Sequence, residues 1–324
     1  MSIIEVKNIS KQFKVKVKKH GFKEAIKSIF RPTYRKIDAV NDISFEIDKG
    51  EVVAFIGPNG AGKSTLIKMM TGILYSDDGA INVLGLNPNR DRKKLAYRIG
   101  TVFGQKEQLW IHLSPFDNFK FFGAVYDLNE NLDKRINELS KLFELEEFID
   151  TPVKSLSLGQ RIRCELVASL IHNPEILFLD EPTIGLDPVV KTSIRSLIKK
   201  MNKELGTTVF LTSHDVGDIE RLCKRVIIIN KGTIVLDDKM TNLRFKYFAK
   251  KIIELKLSEE IDFDEIEGVE VVKKKQSFIR LQVDMNKRSI SDIINLIDLS
   301  KVLDITISHI PLETIITDIY KVGA

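Results

Sequence analysis

The chain has 324 residues and a formal net charge of +5, with 43% hydrophobic and 29% charged residues. This length allows two domains, and the composition is that of an ordinary globular protein. No apolar run approaches the roughly 18 residues that a membrane-spanning helix needs, and we expect no secretion signal at the start. Cys164 and Cys223 are far apart, which fits packing roles in a reducing cytoplasm better than a disulfide or metal site.

The chain begins with two predicted strands, at residues 3–7 and 39–47, with a strongly basic segment between them. From residue 11 to residue 36, ten Lys and Arg residues stand against one acid, so the remaining chain is slightly acidic. The basicity is therefore a local feature. Apolar residues at positions 22, 25, 26, 29 and 30 predict a short amphipathic helix that ends before Pro32.

This basic insertion, residues 14–36, has three interpretations. The first is a solvated hairpin and helix that pack on the rest of the protein. The second places it against a membrane subunit or anionic lipid headgroups, because a basic amphipathic helix suits such an interface. The third, nucleic acid binding, is disfavoured because few aromatic residues lie among the charges.

After the insertion, strand-like and helix-like runs alternate, which predicts a parallel sheet. The predicted strands of this sheet include the apolar runs at residues 52–56, 99–103, 176–179, 209–211 and 226–229. A mainly helical stretch, at about residues 106–158, interrupts the alternation. Near residue 250 the pattern changes to period-two strands followed by helices, which predicts a separate small α+β domain.

Residues 57–65 form a complete G-x-x-x-x-G-K-[ST] phosphate loop between a predicted strand and a predicted helix. Glycines let backbone amides converge on phosphate oxygens at a helix N-terminus. We expect Lys63 to reach the β- and γ-phosphates and the Ser64 hydroxyl to bind Mg²⁺. The sequence therefore predicts a nucleoside triphosphate site formed by Gly57, Asn59, Gly60, Ala61, Gly62, Lys63, Ser64 and Thr65.

Two acids, Asp180 and Glu181, follow the apolar run at residues 176–179. In a doubly wound sheet, the carboxyl end of such a strand lies beside the phosphate loop. We expect Asp180 to hold the Mg²⁺ shell and Glu181 to orient or deprotonate the attacking water.

A second anion site is predicted at residues 156–160, where Ser157 and the amides around Gly159 stand at a helix N-terminus. One nucleotide cannot easily use both sites of the same subunit. With this motif the sequence resembles the ATP-binding cassette (ABC) ATPases, whose signature is Leu-Ser-Gly-Gly-Gln. The resemblance implies a head-to-tail dimer around two ATP molecules, with Ser157, Gly159 and Gln160 in the binding site. Leu158 departs from the glycine of the family.

The other motifs of the family follow in order, and their roles here are those that the resemblance implies. Gln105 matches the Q-loop glutamine, which senses Mg²⁺ and links to the membrane subunit. Asp187 matches the D-loop, which acts across the dimer, and His214 matches the switch histidine at the γ-phosphate. Phe13 matches the aromatic residue that stacks on adenine, with Tyr34 as an alternative.

Residues 102–110 and 156–160 together resemble the corresponding stretches of poorly characterised multidrug-type exporters. Leu109 and Trp110 follow the Q-loop, and they are candidates for the surface that receives a coupling helix of a membrane subunit. Core packing is the alternative for Trp110.

These motifs predict an α/β fold, a P-loop NTPase core of the ABC type with an N-terminal β subdomain and an inserted helical subdomain. We expect a nucleotide-binding domain at residues 1–249 and the small α+β domain at residues 250–324. The predicted function is ATP hydrolysis, with Mg²⁺, in an exporter at the cytoplasmic face of the membrane. The expected partners are integral membrane permease subunits and a second ATPase subunit; a homodimer is expected and a heterodimer stays open.

Two other functions stay open at this point. One is a soluble ABC ATPase that acts on nucleic acid or ribosomes, and the other is a regulatory ATP switch whose carboxyl-terminal domain binds partners. The single cassette and the lack of sustained heptads in the sequence argue against the first, and no nucleic acid partner is expected.

Overall fold

The computed structural model describes residues 1–16, 34–103, 107–128, 131–213, 215–243, 250–259 and 266–322. The chain divides into two compact units, Met1–Asp237 and Asp238–Ala324. The helix predicted in the basic insertion, Gln105 and His214 lie outside the described residues. The predicted domain boundary between residues 249 and 250 also adjoins such residues and stays a prediction.

From residue 52 to residue 230 the described chain alternates between strands and helices, interrupted by the helical stretch, as the sequence predicted. The strands are β1 (Ser2–Lys16), β2 (Tyr34–Asp48), β3 (Val52–Ile56), β4 (Asp78–Val83), β5 (Ile99–Phe103), β6 (Ile176–Asp180), β7 (Thr208–Thr212), β8 (Arg225–Asn230) and β9 (Thr233–Lys239). The helices are α1 (Lys63–Met70), α2 (Arg92–Ala96), α3 (Pro115–Val125), α4 (Leu132–Leu142), α5 (Leu158–Leu170), α6 (Pro188–Leu205) and α7 (Val216–Leu222).

A six-stranded sheet in the order β5-β6-β7-β3-β8-β9 carries the phosphate loop. Its neighbours from β5 to β8 pair in parallel. The apolar run at residues 176–179 is nearly inaccessible to solvent and lies between β5 and β7, which confirms the prediction of a strand covered on both faces. Because these strands are parallel, the loops after β3, β6 and β7 leave the sheet at the same edge.

A second sheet, in the order β2-β1-β4, packs against this core. Phe45 of β2 lies 5.9 Å from Phe55 of β3, measured between ring centroids, and Phe55 lies 5.5 Å from Phe210 of β7. Both β1 and β2 are longer than predicted, because their pairing continues to Lys16 and Tyr34. The ends of the basic insertion therefore extend this hairpin as strands.

The helical stretch contains α3 and α4, followed by the short 3₁₀ turn Val153–Ser155. The Ser114 side chain caps α3 by accepting from the Asp117 amide, and Pro115 occupies the first turn, where its missing N–H costs little. Within the part of the chain that the structure describes, no helix is long and apolar enough to cross a membrane.

The second unit is a small α+β structure, as predicted. It contains β10 (Lys250–Leu257), β11 (Val269–Lys275), β12 (Phe278–Asp284), α8 (Ile290–Asn295), β13 (Val302–His309) and α9 (Leu312–Val322). The strands pair in the order β11-β12-β10-β13, and one face of the sheet packs with Ile293 and Ile297 into a separate apolar core. The sequence did not predict β11, since most of its side chains are exposed and show no alternation.

Candidate functional site

Glycines shape the phosphate loop because neighbouring backbone leaves no room for side chains. A Cβ on Gly57 would lie 2.5 Å from the Ile229 carbonyl oxygen, and one on Gly62 would lie 2.2 Å from the Ala39 carbonyl oxygen. Gly62 also has a φ of +109° and stands just before α1, for which the structure shows no side-chain cap. The first amides of α1 are therefore available to a ligand, at the positive end of the helix dipole.

Lys63 lies buried within this loop. Its Nζ donates to the carbonyl oxygens of Gly57 at 2.6 Å and Pro58 at 3.2 Å. Burial lowers the pKa of Lys63, while the negative charges of Glu181 and Asp180 act against this shift. The ammonium group therefore lies in the electrostatic field of both acids, as expected for one site.

The two acids are positioned by the end of β7. Thr212 donates from its hydroxyl to Asp180 Oδ1 at 2.5 Å, and the Glu181 amide donates to the Thr212 carbonyl oxygen at 3.0 Å. Glu181 has a φ of +54°, which is costly for a residue with a side chain. The Glu181 amide, which donates to the carbonyl and hydroxyl oxygens of Thr212, holds this conformation, and backbone strain of this kind clusters at functional sites.

A cavity of about 890 Å³ lies between the phosphate loop and these acids. Its size is within the range of small-molecule sites. Asp180, Glu181 and residues 57–65 line it, so the structure brings these two acids to the predicted phosphate loop. The sequence analysis missed further lining residues, which carry no motif of their own: Ala39, Lys68, Ile73, Phe103 and Ile184.

The predicted adenine residues lie apart from this group. Phe13, on β1, is about one-third exposed and has Lys11 Nζ 5.8 Å from its ring centroid. Tyr34 begins β2 and is more than half exposed. Neither is among the described residues that line the cavity, and adenine stacking stays a prediction.

The signature residues form a capped helix start. Gln160 donates its amide N–H to the Ser157 hydroxyl oxygen at 3.3 Å, and the Gln160 side-chain oxygen accepts from the Ser157 amide at 2.9 Å. Gly159 is buried, and a Cβ there would lie 2.5 Å from Val190 on α6. Leu158 is about half exposed and faces Gly185. The departure from the family motif thus places an apolar side chain beside the segment that leads to Asp187.

Asp187 is the N-cap of α6. Its Oδ1 accepts from the amides of Val189 and Val190 at 3.0 Å each. The contact between Gly159 and Val190 therefore places the signature and the D-loop side by side. Neither Ser157 nor Asp187 is among the described residues lining the phosphate cavity.

Leu109 and Trp110 have different environments. Leu109 is buried, whereas Trp110 is 60% exposed, so packing in the core does not account for the tryptophan. Asn118 fixes the Trp110 backbone by accepting from its amide at 2.7 Å and donating to its carbonyl at 3.1 Å. The indole meets Phe121 edge to face at 5.9 Å, and both rings are exposed at the surface of the helical stretch.

The fold and the phosphate site together define a P-loop nucleotide-binding cassette. A family model described as "ABC transporter" matches residues 40–184. The ABC transporter ATP-binding protein NatA of Bacillus subtilis is 34% identical over 215 residues, which are 66% of this chain and 87% of NatA. The lantibiotic transport ATP-binding protein SrtF of Streptococcus pyogenes is 35% identical over 208 residues, which are 64% of this chain and 87% of SrtF.

Solved structures agree with these relatives. The chain is similar to cbiO1 of Clostridium perfringens, part of the cbiONQ ABC transporter complex, with a TM-score of 0.63, 30% identity and coverage of 76% of this chain and 91% of cbiO1. It is also similar to the cassette MJ0796, solved as a dimer with ADP and Pi, with a TM-score of 0.60, 28% identity and coverage of 73% and 98%. The chain belongs to the ABC transporter ATP-binding proteins, and it is an ATPase of that family.

Proposed function

We propose that this chain is the ATPase subunit of an exporter, and that two copies close around two ATP molecules to drive separate permease subunits in the membrane. The observation that carries this proposal is the separation of the two anion sites. Lys63, Asp180 and Glu181 share one cavity, while Ser157 begins a helix whose described residues do not line it. The second half of each site then comes from the other subunit, and the solved dimer of the cassette MJ0796 supports such an arrangement.

Each side of the cavity has its own part in hydrolysis. The open amides of α1 and the Lys63 ammonium bind the β- and γ-phosphates. Glu181 orients the attacking water and accepts its proton, and we assign His214 and Gln105 to the γ-phosphate and the nucleophile side. Ser157 and Gly159 of the second subunit close the site, so that ATP holds the dimer together and hydrolysis releases it.

Mg²⁺ fits the oxygen donors on this side of the cavity. Ser64 and Asp180 both line it, and Mg²⁺ prefers one or two protein oxygens together with substrate phosphates. Gln105 is the third proposed contact. When bound, Mg²⁺ would neutralise charge that develops on the phosphate oxygens.

The Trp110–Phe121 pair supports the proposal of a membrane partner. Two exposed, edge-to-face aromatic rings on a backbone fixed by Asn118 form a rigid apolar surface, and aromatic anchors dominate protein interfaces. We propose that this pair receives a cytoplasmic helix of the permease, which places the ATPase at the cytoplasmic face of the membrane. The basic insertion is a further candidate contact with the permease or with lipid headgroups.

The test of the hydrolytic assignment is Glu181→Gln, with the exposed Glu204→Gln as the control. We expect the Glu181 variant to bind ATP, to accumulate as an ATP-bound dimer in size-exclusion chromatography and to lose steady-state turnover. Wild-type turnover in this variant would refute the assignment.

The test of the partner is co-purification from membranes with Trp110→Ala and Phe121→Ala variants. We expect wild-type protein to recover a polytopic membrane protein and the double variant to lose it while ATP binding is unchanged. Recovery of ribosomes or nucleic acid instead would contradict a role in transport.

Deletion of residues 14–36 should also weaken assembly with the membrane protein more than it weakens ATP binding. If the deletion variant assembles as well as wild type, the insertion is a solvated hairpin.

A further inference from the structure

A buried carboxylate, Asp218, joins three segments of the ATPase unit. Its side chain is inaccessible to solvent. Its Oδ2 accepts hydrogen bonds from the Thr183 hydroxyl and, at 3.0 Å, from the Ser213 hydroxyl. Its Oδ1 accepts from Arg195 Nε at 2.5 Å. A buried charge is tolerated only when it is paired and hydrogen-bonded in this way.

Arg195 extends the pair into a network. This arginine is also buried, and its Nη2 lies 3.3 Å from Asp215 Oδ1, while Lys191 contacts the other oxygen of Asp215. A Cβ on Gly217 would lie 3.0 Å from Asp215 Oδ1 and 3.3 Å from Arg195 Nη2. Because residue 217 is a glycine, there is room for the contact between Arg195 and Asp215.

The segments joined in this way are the ones that carry the proposed hydrolysis residues. Thr183 follows Glu181 by two residues, and Ser213 and Asp215 flank position 214. Arg195 lies on α6, which begins beside Asp187. One buried charge pair thus connects the loop after β6, the loop after β7 and the helix after the D-loop.

We propose that the Arg195–Asp218 pair is a positioning device for ATP hydrolysis, which fixes the loop of Glu181 and the loop of Ser213 and Asp215 relative to each other and to the D-loop. Neither residue is among the described residues lining the cavity, so the pair acts through the segments it connects. A displacement of about 1 Å in a reacting group can reduce turnover by two orders of magnitude, so the alignment of these two loops and of α6 matters for hydrolysis. The inference rests on the roles proposed above for Glu181 and His214.

The test compares Asp218→Asn and Arg195→Met with wild type in steady-state ATPase assays and thermal unfolding. Asparagine keeps the shape of Asp218 and removes its charge, and methionine keeps the stem of Arg195. We expect kcat to fall by about tenfold or more, with KM for ATP and the affinity for a non-hydrolysable ATP analogue within about twofold of wild type, because the phosphate loop is untouched. Asp218→Glu, which keeps the charge, should recover part of the loss in kcat.

Arg225→Met is the matched control. Arg225 pairs with Asp237 through two contacts of 2.7 Å in the same unit, and it stands at the first residue of β8, away from the loops that follow the parallel strands. This variant should lower the unfolding temperature without changing kcat at a permissive temperature. If Asp218→Asn and Arg195→Met lose no more kcat than Arg225→Met at equal loss of stability, the pair is structural only and the inference is wrong.

If the Asp218 and Arg195 variants fail to fold, Thr183→Val tests the same inference. It removes one hydroxyl from Asp218 and leaves the ion pair intact, and we expect kcat to fall by about threefold or more, the scale of one hydrogen bond. Unchanged kcat in this variant would overturn the inference. Failure of the proposed function is distinguishable, since Glu181→Gln would then retain turnover whatever the Asp218 variants do.

Discussion

Two helix starts in the ATPase unit were both predicted to bind anions, and the structure makes them different. At the start of α1, the structure shows no side-chain cap, and the first amides face the cavity beside Lys63. At the start of α5, Ser157 and Gln160 cap each other and Gly159 packs against Val190. The first site is therefore open to phosphate. The second has side-chain partners for the amides of Ser157 and Gln160 and offers the Ser157 hydroxyl proton, which the cap does not use.

The two helix starts contribute differently to the binding of ATP. Phosphate binds most favourably at a helix start whose amides lack partners, because these N–H groups then form hydrogen bonds. A capped helix start is stable without a ligand, and its contact with phosphate is weaker than that of an uncapped start. We infer that α1 supplies most of the affinity for ATP, whereas α5 senses that ATP is present on a second subunit.

The largest expected effect comes from closing the open site with Gly62→Ala. The added Cβ would lie 2.2 Å from the Ala39 carbonyl oxygen at a φ of +109°, so the loop must move. We expect ATP binding to fall at least about a hundredfold, which corresponds to roughly 3 kcal/mol, as measured by titration of a fluorescent ATP analogue.

Gly60→Ala is the control for this prediction. Its φ of +80° is also left-handed, but the space around the added Cβ is open. The cost should be about 1 kcal/mol of backbone strain, with a smaller loss of ATP binding. Equal losses in the two variants would show that backbone conformation, and not the contact with Ala39, requires the glycine.

The next effect concerns the buried carboxyl of Glu165 on α5. Burial raises the pKa of Glu165 from 4.5 to about 7, and the Gln108 amide and Arg161 act against this shift. Because the folded state holds this proton more tightly than the unfolded state, the free energy of unfolding should fall as the pH rises from about 4.5 to 7. The whole difference is on the order of 3 kcal/mol.

Glu165→Gln removes this titration and should flatten that part of the stability profile. The measurement is urea unfolding at pH 5 and pH 8, where the variant should gain stability relative to wild type only at the higher pH. The exposed Glu204→Gln serves as the control, because Glu204 does not act on the pKa of Glu165. A variant that is destabilised equally at both pH values would show that Glu165 is charged throughout.

A smaller effect is expected from Ser157→Ala, which removes the cap of α5 and the proposed phosphate donor. Stability should fall by about 1 kcal/mol, turnover should fall by about tenfold, and ATP binding by the monomer should stay near wild type. Ser289→Ala is a matched control, because Ser289 forms the same kind of capping box with Asp292 at the start of α8 in the other unit. Ser289→Ala should lower stability by a similar amount without affecting turnover. A loss of turnover in both variants would contradict a specific role of Ser157 at the phosphate.

The smallest effect is expected from Leu158→Gly, which restores the usual family residue. Leu158 is about half exposed at the first turn of α5, so glycine should lower stability by less than about 1 kcal/mol. We expect turnover within about threefold of wild type. A much larger gain in turnover would show that the leucine restrains closure of the dimer.

Local pattern predicted most of the elements that form the site. The apolar run before Asp180 and the phosphate loop between a strand and a helix both occur as predicted, since burial of a parallel strand and phosphate binding each require a short, specific sequence. The strand β11 was missed because its exposed side chains carry no alternation. The continuation of β1 and β2 was missed because strand pairing, and not local hydrophobicity, extends them.

The sequence by itself determined the phosphate loop, the acids at the end of β6 and the residues of each family motif, because each depends on residue types at fixed spacing within a few positions. Only the tertiary structure decided that Ala39 limits Gly62, that Trp110 is exposed while Leu109 is buried, and that Asp218 joins Thr183, Ser213 and Arg195. These contacts join residues far apart in the chain, and packing places them together without leaving a local pattern in the sequence.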